Sequence, residues 1–287
     1  MPSLKAIRTR IASVKSTQKI TRAMKLVSAA KLRRAQENIL AARPYALKLH
    51  EMISELALRA DFEDHPLLAQ REPRRVQLVV VTSDRGMCGA FNTNILRTAE
   101  KYIRENKSNH DQIDLTVVGR KGREYLRHRH YEMKSTFPGL DIPSALEESK
   151  QIADGIIDDF LGDNLDMVYL LYNEFKSAMS QRITVEQILP IKPLELDDGC
   201  AAIDFVYEPD KKTLLETVIP MYLHVEVYRA TLESLASEFG ARMTAMENAT
   251  NNASDMIAAL TLQFNKARQA SITKELLDIV GGAEALK

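Results

Sequence analysis

The chain of 287 residues is poor in cysteine and has no long apolar segment. Its two cysteines, Cys88 and Cys200, lie far apart and match no CxxC or metal-binding spacing. A disulfide scaffold is therefore excluded, and a reducing compartment is expected. No run of eighteen apolar residues occurs, so no segment is predicted to span a membrane. The first residues lead directly into a helical pattern without an apolar signal region, so secretion is not expected.

The motifs of the common enzyme classes are also missing. The six histidines fit neither HExxH nor a three-ligand zinc spacing, and no serine lies in a GxSxG motif. A glycine turn has the spacing Gly86-x-x-Gly89, which matches neither the dinucleotide-binding fingerprint nor the P-loop. We interpret it as a structural turn, in which Asp84 and Arg85 form a salt bridge or a turn-forming pair. No catalytic residue, cofactor, metal or direct nucleotide binding is predicted.

Helix-breaking residues are scarce in the last third of the chain. Between Met221 and Val280 there is no proline, and Gly240 is the only glycine. This composition predicts one helix roughly 90 Å long. Its apolar residues recur at steps of three or four, with a mean spacing close to the 3.5 residues of a coiled coil. These seam residues are Leu232, Leu235, Phe239, Met243, Met246, Ala249, Ala253, Met256, Leu260, Phe264 and Ala267.

A second seam with the same spacing begins near the N-terminus and predicts a helix from Ser3 to Leu58. Pro44 lies inside it and is expected to bend the helix without ending it, because the pattern keeps its phase. The seam residues are Leu4, Ile7, Ile11, Val14, Gln18, Thr21, Lys25, Ser28, Leu32, Ala35, Ile39, Ala42, Ala46, Leu49, Ile53 and Leu56. We expect the two helices to form an antiparallel, left-handed coiled coil within one chain; dimerisation between chains is the alternative.

The middle of both seams lacks large aliphatic residues. Polar and small residues occupy Gln18–Ser28 on the first helix and Asn248–Asp255 on the second. A permanent two-stranded coiled coil prefers branched aliphatic residues at these positions. We therefore expect this portion to be weakly packed against itself and open to other contacts.

The pattern between the helices alternates between strand and helix. This alternation predicts a Rossmann-like α/β domain over residues 74–205, between paired helices at 1–58 and 210–287. Ser144 and Glu147 have the spacing of a capping box at the start of one helix. The strands are predicted at 75–82, 113–119, 131–136, 165–175 and 179–189, the last two forming a hairpin.

A formal net charge of zero conceals a strong asymmetry. Residues 1–50 contain twelve Lys or Arg and one acid, Glu37, whereas residues 141–175 contain nine acids and one base, Lys150. A basic helix of this kind suits nucleic acid, a membrane surface or an acidic protein, or is simply solvated. Binding to nucleic acid is disfavoured, because aromatic residues are not interleaved with the Lys and Arg residues.

Three segments of the chain carry a family resemblance: Ile11–Met24, Thr82–Gly89, and Asn265–Glu275 continuing into Asp278 and Gly282–Ala285. They closely resemble the γ-subunit family of F-type ATP synthases. The resemblance covers essentially the whole chain. It implies a central rotor shaft in which three α and three β subunits surround the coiled coil, with the ε subunit beside the α/β domain and the membrane c-ring beneath its foot.

The resemblance also implies functional positions. The coupling contacts to the α and β subunits would be Met24, Arg242, Arg268, Gln269, Thr273 and Glu275. The foot that faces the c-ring would include Phe205, Tyr207 and Glu208. The family has no catalytic role for this subunit, and its bacterial members lie peripherally on the cytoplasmic face of the plasma membrane.

Two alternatives from other functional classes remain open at this point. A coiled-coil tether or adaptor with a non-catalytic α/β head would form stable homodimers. A nucleotide-dependent enzyme would bind its nucleotide at the Gly86 turn.

Overall fold

A computed structural model of the chain describes residues 3–59, 65–191 and 211–284. Two very long helices, α1 and α5, are the first and last elements of the chain, and strands and shorter helices follow one another between them in the sequence. The elements are α1 (Leu4–Arg59), a 3-10 helix (Pro66–Leu68), β1 (Arg75–Val81), α2 (Phe91–Asn106), β2 (Gln112–Val118), α3 (Arg120–His128), β3 (Ser135–Phe137), α4 (Ala145–Leu161), β4 (Met167–Phe175), β5 (Gln181–Leu189) and α5 (Lys211–Glu284).

The five strands form one sheet in the order β3-β2-β1-β4-β5. Strands β1 to β4 are parallel, and β5 is antiparallel to β4, with which it forms a hairpin. β1 is buried from Val76 to Val81, as its run of β-branched residues predicts for a central strand covered on both faces. The predicted mixed α/β fold is confirmed.

Helices cover both faces of the sheet. On one face, Leu78 and Val80 pack with α2 and α3 through residues such as Ile95 and Leu126. On the other face, Val79 joins a larger core to which α4, the 3-10 helix, the end of α1 and the first part of α5 contribute. The first part of α5 is therefore part of the domain core, and not only half of a helix pair.

Three local predictions need correction. The third strand is shorter than predicted and spans Ser135–Phe137. Ser144 makes no capping hydrogen bond to the helix; its amide and hydroxyl both donate to Asp141 Oδ1. α5 begins at Lys211, so that Pro220, like Pro44 in α1, lies inside a continuing helix.

The chain divides into two compact units. One, which we call the paired-end unit, comprises Met1–Ser28 and Met243–Lys287. The other, the α/β unit, comprises Ala29–Arg242. How these units correspond to the predicted functional domains stays a prediction.

The predicted seam of α1 matches the observed burial: each of its positions from Leu4 to Ile53 is buried or half-buried. The seam of α5 also matches, except that Met256 is exposed and the neighbouring Ile257 is half-buried. Contacts between the helices run in opposite directions along the chain, so the pair is antiparallel. In the α/β unit they include Lys31 above the ring of Phe239 and Arg43 bonded to Glu233.

A partly buried ionic cluster joins α5 to the sheet in the α/β unit. Arg229 donates from Nη2 to both carboxylate oxygens of Glu186 on β5, at 2.8 and 2.7 Å, and to Glu226 at 2.7 Å. Its Nη1 donates to the hydroxyl of Tyr172 on β4. Burial acts to lower the pKa of Arg229, but the adjacent Glu226, Tyr172 and Glu186 raise it overall, so the guanidinium stays charged.

Further polar contacts continue along the same helix. Ser149 on α4 donates to Thr231, and the backbone amide of Phe175 donates to Glu233. Ser237 donates to the carbonyl of Asn173 on β4 at 2.9 Å. α5 is therefore fixed to the sheet by directional bonds as well as by apolar packing.

We expect Arg229→Met to lower the free energy of unfolding by about 3 kcal/mol, because it leaves the buried Glu226 carboxylate without its cation. Urea denaturation of the full chain, followed by circular dichroism, measures this loss. Arg33→Met is the control, since Arg33 pairs with Glu37 on an exposed face of α1 and should cost no more than about 0.5 kcal/mol. Equal losses in the two variants would contradict the assignment.

Candidate functional site

The polar middle of the seam lies in the paired-end unit, where its side chains bond to each other. Gln18 Nε2 donates to Ser254 Oγ at 2.7 Å, and the hydroxyls of Thr21 and Thr250 are 2.8 Å apart. The two helices therefore bond to each other in this portion, and whether it is also open to other contacts stays a prediction. Hydrogen bonds between polar side chains take the place of the aliphatic packing of an ordinary coiled coil.

An ion pair between the helices ends this polar stretch. Lys25 Nζ lies 2.6 Å from Glu247 Oε1, and both side chains are partly exposed. A groove of about 510 Å³ runs alongside, lined by Lys19, Arg22 and Leu26 in addition to the pair. Three cations and one acid thus line this groove.

The first part of α1 presents a positive surface. Residues 1–28 contain seven Lys or Arg and no acid. Apart from Lys25, these cations form no ion pair with any residue that the structure describes. A surface of one charge sign attracts and orients a partner of the opposite sign.

Four of the six predicted coupling residues are solvent-exposed on the last part of α5. These are Arg268, Gln269, Thr273 and Glu275. Met24 is half-buried on α1, beside the seam residue Lys25. The paired-end unit therefore contains all five, and their role as contacts stays a prediction.

The end of α5 exposes an apolar surface. Burial on this helix stops at Ser271, and residues 272–283 are all exposed. Ile272, Leu276, Leu277, Ile279 and Val280 have between 48% and 68% of their surface exposed. An apolar patch of this kind is typical of a surface that contacts another protein.

Arg242, the sixth predicted coupling residue, lies in the α/β unit and is only 8% exposed. Its guanidinium donates to the backbone carbonyls of Arg85 and Gly86 and to Glu238 Oε1, the last at 2.6 Å. Burial raises the pKa of the Glu238 carboxyl group, and the adjacent positive charge of Arg242 lowers it in part. Arg242 is thus bonded within its own chain.

The glycine turn after β1 is held by Asp84. Asp84 Oδ1 accepts the amide of Arg120, the first residue of α3, at 2.8 Å and the amide of Gly139 at 2.9 Å. A Cβ at Gly139 would lie 2.2 Å from this carboxyl group, which leaves room only for glycine. Asp84 is therefore turn-forming, and it bonds to these two amides rather than to Arg85.

This carboxylate occupies an anion-binding position. Dinucleotide-binding folds place a phosphate at a helix N-terminus along the carboxyl edge of the sheet. Asp84 supplies its own negative charge at the N-terminus of α3. A phosphate at this position would have to displace it.

Sequence reasoning missed two ion pairs between residues far apart in the chain. Glu247 pairs with the seam residue Lys25, and Arg229 pairs with Glu186 on β5; no local pattern identifies such pairs. The sequence indicated a turn at Asp84, but the two backbone amides that donate to its carboxylate could be identified only from the structure. The predicted foot residues Phe205, Tyr207 and Glu208 lie outside the described residues.

In the described ranges, no group of three or more His, Cys, Asp or Glu side chains could hold a metal ion. None of the helices there is long and apolar enough to cross a membrane.

Long antiparallel helices and a five-stranded sheet of mixed α/β type place the chain in a mixed α/β class, and its exposed cationic and apolar surfaces are suited to contacts with other proteins. A family profile described as ATP synthase matches residues 3–286. ATP synthase gamma chains from Anaeromyxobacter sp. (strain Fw109-5) and Geobacter metallireducens are 52% and 50% identical, with full coverage of both chains. The chain therefore belongs to the gamma-chain family of ATP synthase.

Solved structures agree with this assignment. A chain in the central stalk and c-ring structure of the Tetrahymena thermophila mitochondrial ATP synthase is 27% identical, with a TM-score of 0.61, covering 80% of this chain and 99% of that one. A chain from the Euglena gracilis mitochondrial enzyme, in a structure of OSCP, F1 and c-ring, is 22% identical with a TM-score of 0.68. The shared region covers 99% of this chain and 94% of that one, and it shows the same fold.

We expect Leu277→Ala to change the free energy of unfolding by less than about 0.5 kcal/mol, because this side chain is 66% exposed. The same substitution at Leu260, which is 8% exposed on the seam of the same helix, should cost about 2 kcal/mol or more. Urea denaturation of the two full-length variants gives the comparison. A large loss at Leu277 would mean that the end of α5 packs within the chain.

Proposed function

We propose that this chain is the rotating central stalk of its ATP synthase, which couples ion flow through a membrane c-ring to ATP synthesis or hydrolysis. The observation that carries the proposal is the exposed apolar end of α5, from Ile272 to Val280. In the proposed complex a ring of three α and three β subunits encloses this surface. Residues 276–280 contain one charged residue, Asp278, and an apolar contact there would let the helix turn without breaking fixed ion pairs.

The coupling follows from symmetry. One asymmetric chain inside a three-fold ring meets each of three identical β subunits with a different side. Each β subunit is then stabilised in a different conformation, because a contact shifts the equilibrium towards the state that it fits best. Rotation exchanges these contacts and so drives each site through binding, closure and release of nucleotide.

Specific residues are assigned to these contacts as part of the proposal. The cationic part of α1 faces acidic loops of the β subunits. Met24 and the exposed α5 residues Arg268, Gln269, Thr273 and Glu275 contact the ring. The ε subunit lies beside the α/β domain, and the foot with Phe205, Tyr207 and Glu208 faces the c-ring. The helix pair is then the shaft, and residues 74–205 are the globular domain.

The chain itself is proposed to be non-catalytic and to bind no nucleotide directly. Asp84 supports this, because its carboxylate already takes the helix terminus at which a phosphate would bind. ATP chemistry would then take place on the β subunits. We further propose that the chain lies peripherally on the cytoplasmic face of a bacterial plasma membrane.

Purification of the tagged chain from native membranes, with mass spectrometry of the bound proteins, tests the proposal. The expected result is α and β subunits in threefold excess, together with ε and c subunits. The second candidate, a tether or adaptor, rests on the seam spacing that a dimeric coiled coil also shows. Homodimers without nucleotidase subunits would favour the tether.

We expect Met24→Lys to lower proton pumping per ATP hydrolysed by at least about twofold in the assembled complex. The new charge would lie at the proposed contact with the ring, where a misplaced charge costs several kcal/mol. Acidification of inverted membrane vesicles, measured together with ATP hydrolysis, gives this ratio.

Met179→Lys is the matched control, because Met179 is 84% exposed on the hairpin between β4 and β5, in the α/β unit. This variant should keep the parental ratio. An unchanged ratio for Met24→Lys would remove Met24 from the coupling contacts.

A further inference from the structure

The last residues of α2 and α3 expose cations that have no ionic partner among the described residues. Residues 101–110 contain three Lys or Arg and one acid, and residues 120–130 contain five Lys or Arg and one acid. Arg104 and Arg127 lie in the last turns of α2 and α3, and Lys107 directly follows α2. All three side chains are exposed, and none forms an ion pair within the described ranges. The helix dipole favours cations at this end of a helix, so these charges are available to an anionic partner.

Both helix ends lie at the amino edge of the sheet, where the parallel strands begin. After α2 the chain returns to this edge, because the amide of Asp111 donates to the carbonyl of Arg74, the residue before β1, at 2.8 Å. After α3, Glu132 lines a cleft of about 670 Å³ together with Gln112 and Ile113, the first residues of β2. The exposed cations of the two helices therefore belong to one edge of the sheet.

The segment that contains the proposed foot is joined to this same edge. β5 is antiparallel to β4, so it ends where β4 begins, at the amino edge. α5 reaches Gly86, beyond the carboxyl end of β1, only at Arg242, so its first turns lie toward the amino edge. The segment between β5 and α5 contains Phe205, Tyr207 and Glu208. The side of the domain from which the proposed foot extends is therefore the side that carries the cations.

The sheet separates these cations from the long helices. α2 and α3 pack on one face, through Ile95 and Leu126. α4, the end of α1 and the first part of α5 pack on the other face. The charge follows this division, because residues 154–163 at the end of α4 contain four acids and no Lys or Arg. The positive side of the α/β unit thus faces away from its long helices, and the negative side adjoins them.

We infer that Arg104, Lys107 and Arg127, which we call the amino-edge cations, bind the anionic phospholipid headgroups of the membrane around the c-ring. In the proposed complex the foot faces the c-ring, so the amino edge faces the membrane. The long helices stand over the c-ring, and the layer of α2 and α3 lies outermost, on the side of the surrounding lipid. The inference rests on the proposed function and deepens it.

A lipid surface suits a rotating partner. Lys and Arg side chains are attracted to an anionic bilayer when they lie within about a Debye length of it. The headgroups have no fixed angular positions around the c-ring. The attraction would therefore hold the domain close to the membrane without opposing its rotation.

The first test measures how the assembled complex of this chain with α, β and ε subunits binds lipid vesicles, since the proposed ring then encloses the cationic start of α1. The parental complex should bind vesicles of phosphatidylcholine with about one third phosphatidylglycerol, and not vesicles of phosphatidylcholine alone. High ionic strength should abolish this binding by screening the charges. Replacing all three amino-edge cations by glutamine should weaken the binding at least about tenfold, because each cation near the surface contributes separately.

The combined substitution Arg97→Gln, Arg120→Gln and Arg123→Gln is the matched control. It removes the same charge from exposed positions of the same two helices, but from the first half of α2 and the start of α3. Its binding should stay within about twofold of the parent. Equal losses in the two variants, or a parental complex that binds both kinds of vesicle equally or neither, would overturn the inference. Tighter binding to duplex DNA than to the anionic vesicles would also overturn it, in favour of a nucleic-acid partner.

The second test uses the complete enzyme in vesicles that contain lipids with a nitroxide on the headgroup, which quenches a nearby fluorophore. The fluorophore is attached at Ser108→Cys, next to Lys107, or at Asn94→Cys, in the first turn of α2; both positions are exposed. Because they lie about 20 Å apart along the helix, we expect at least about twofold more quenching at position 108.

Equal or weaker quenching at position 108 would overturn the inference. A failure of the proposed function would be seen separately, as a parental chain that does not assemble with α and β subunits.

Discussion

The antiparallel pairing of the first helix with the last is the constraint on which the rest of this structure depends. In the paired-end unit the two helices have little else to pack against, so each must bury its seam on the other. Large aliphatic residues are absent where Thr21 meets Thr250, and hydrogen bonds between small polar side chains take their place. A net hydrogen bond contributes only about 1 kcal/mol. The pairing here is therefore specific in register without being strongly stabilised by apolar burial.

The same helix is held very differently in the α/β unit. There α5 contributes to the main core of the sheet, and Arg229 bonds it to β4 and β5 through Tyr172 and Glu186. Arg242 bonds it to the loop after β1. Apolar burial supplies the attraction, and these directional contacts fix how the helix is rotated about its axis. A helix that transmits a turning force needs this second property, because apolar packing alone tolerates small rotations.

The fold could be predicted from the sequence to the extent that it follows local periodicity. The seam spacing identified both helices, and the β-branched run from Val76 identified a strand buried on both faces. The prediction that Met256 lies in the seam was wrong, because the half-buried residue at that turn is the neighbouring Ile257. Counting steps of three or four residues along the sequence cannot show such a shift. The prediction that Ser144 caps the helix was wrong, because its amide and its hydroxyl both donate to Asp141 instead. Contacts between residues far apart in the sequence, such as that of Arg242 with Gly86, could be identified only from the structure. The family resemblance had already drawn attention to Arg242 and to the segment that contains Gly86.

The pairing of the chain ends can be tested by locking it. Thr21→Cys and Thr250→Cys, in a chain whose Cys88 and Cys200 are replaced by alanine, place two thiols where the hydroxyls are 2.8 Å apart. Under mild oxidation we expect a disulfide within one chain, and the locked complex should hydrolyse ATP and pump protons as well as the reduced one. A cross-link that forms only between chains, or activity that is lost on oxidation and restored by reductant, would contradict a helix pair that stays closed as it turns.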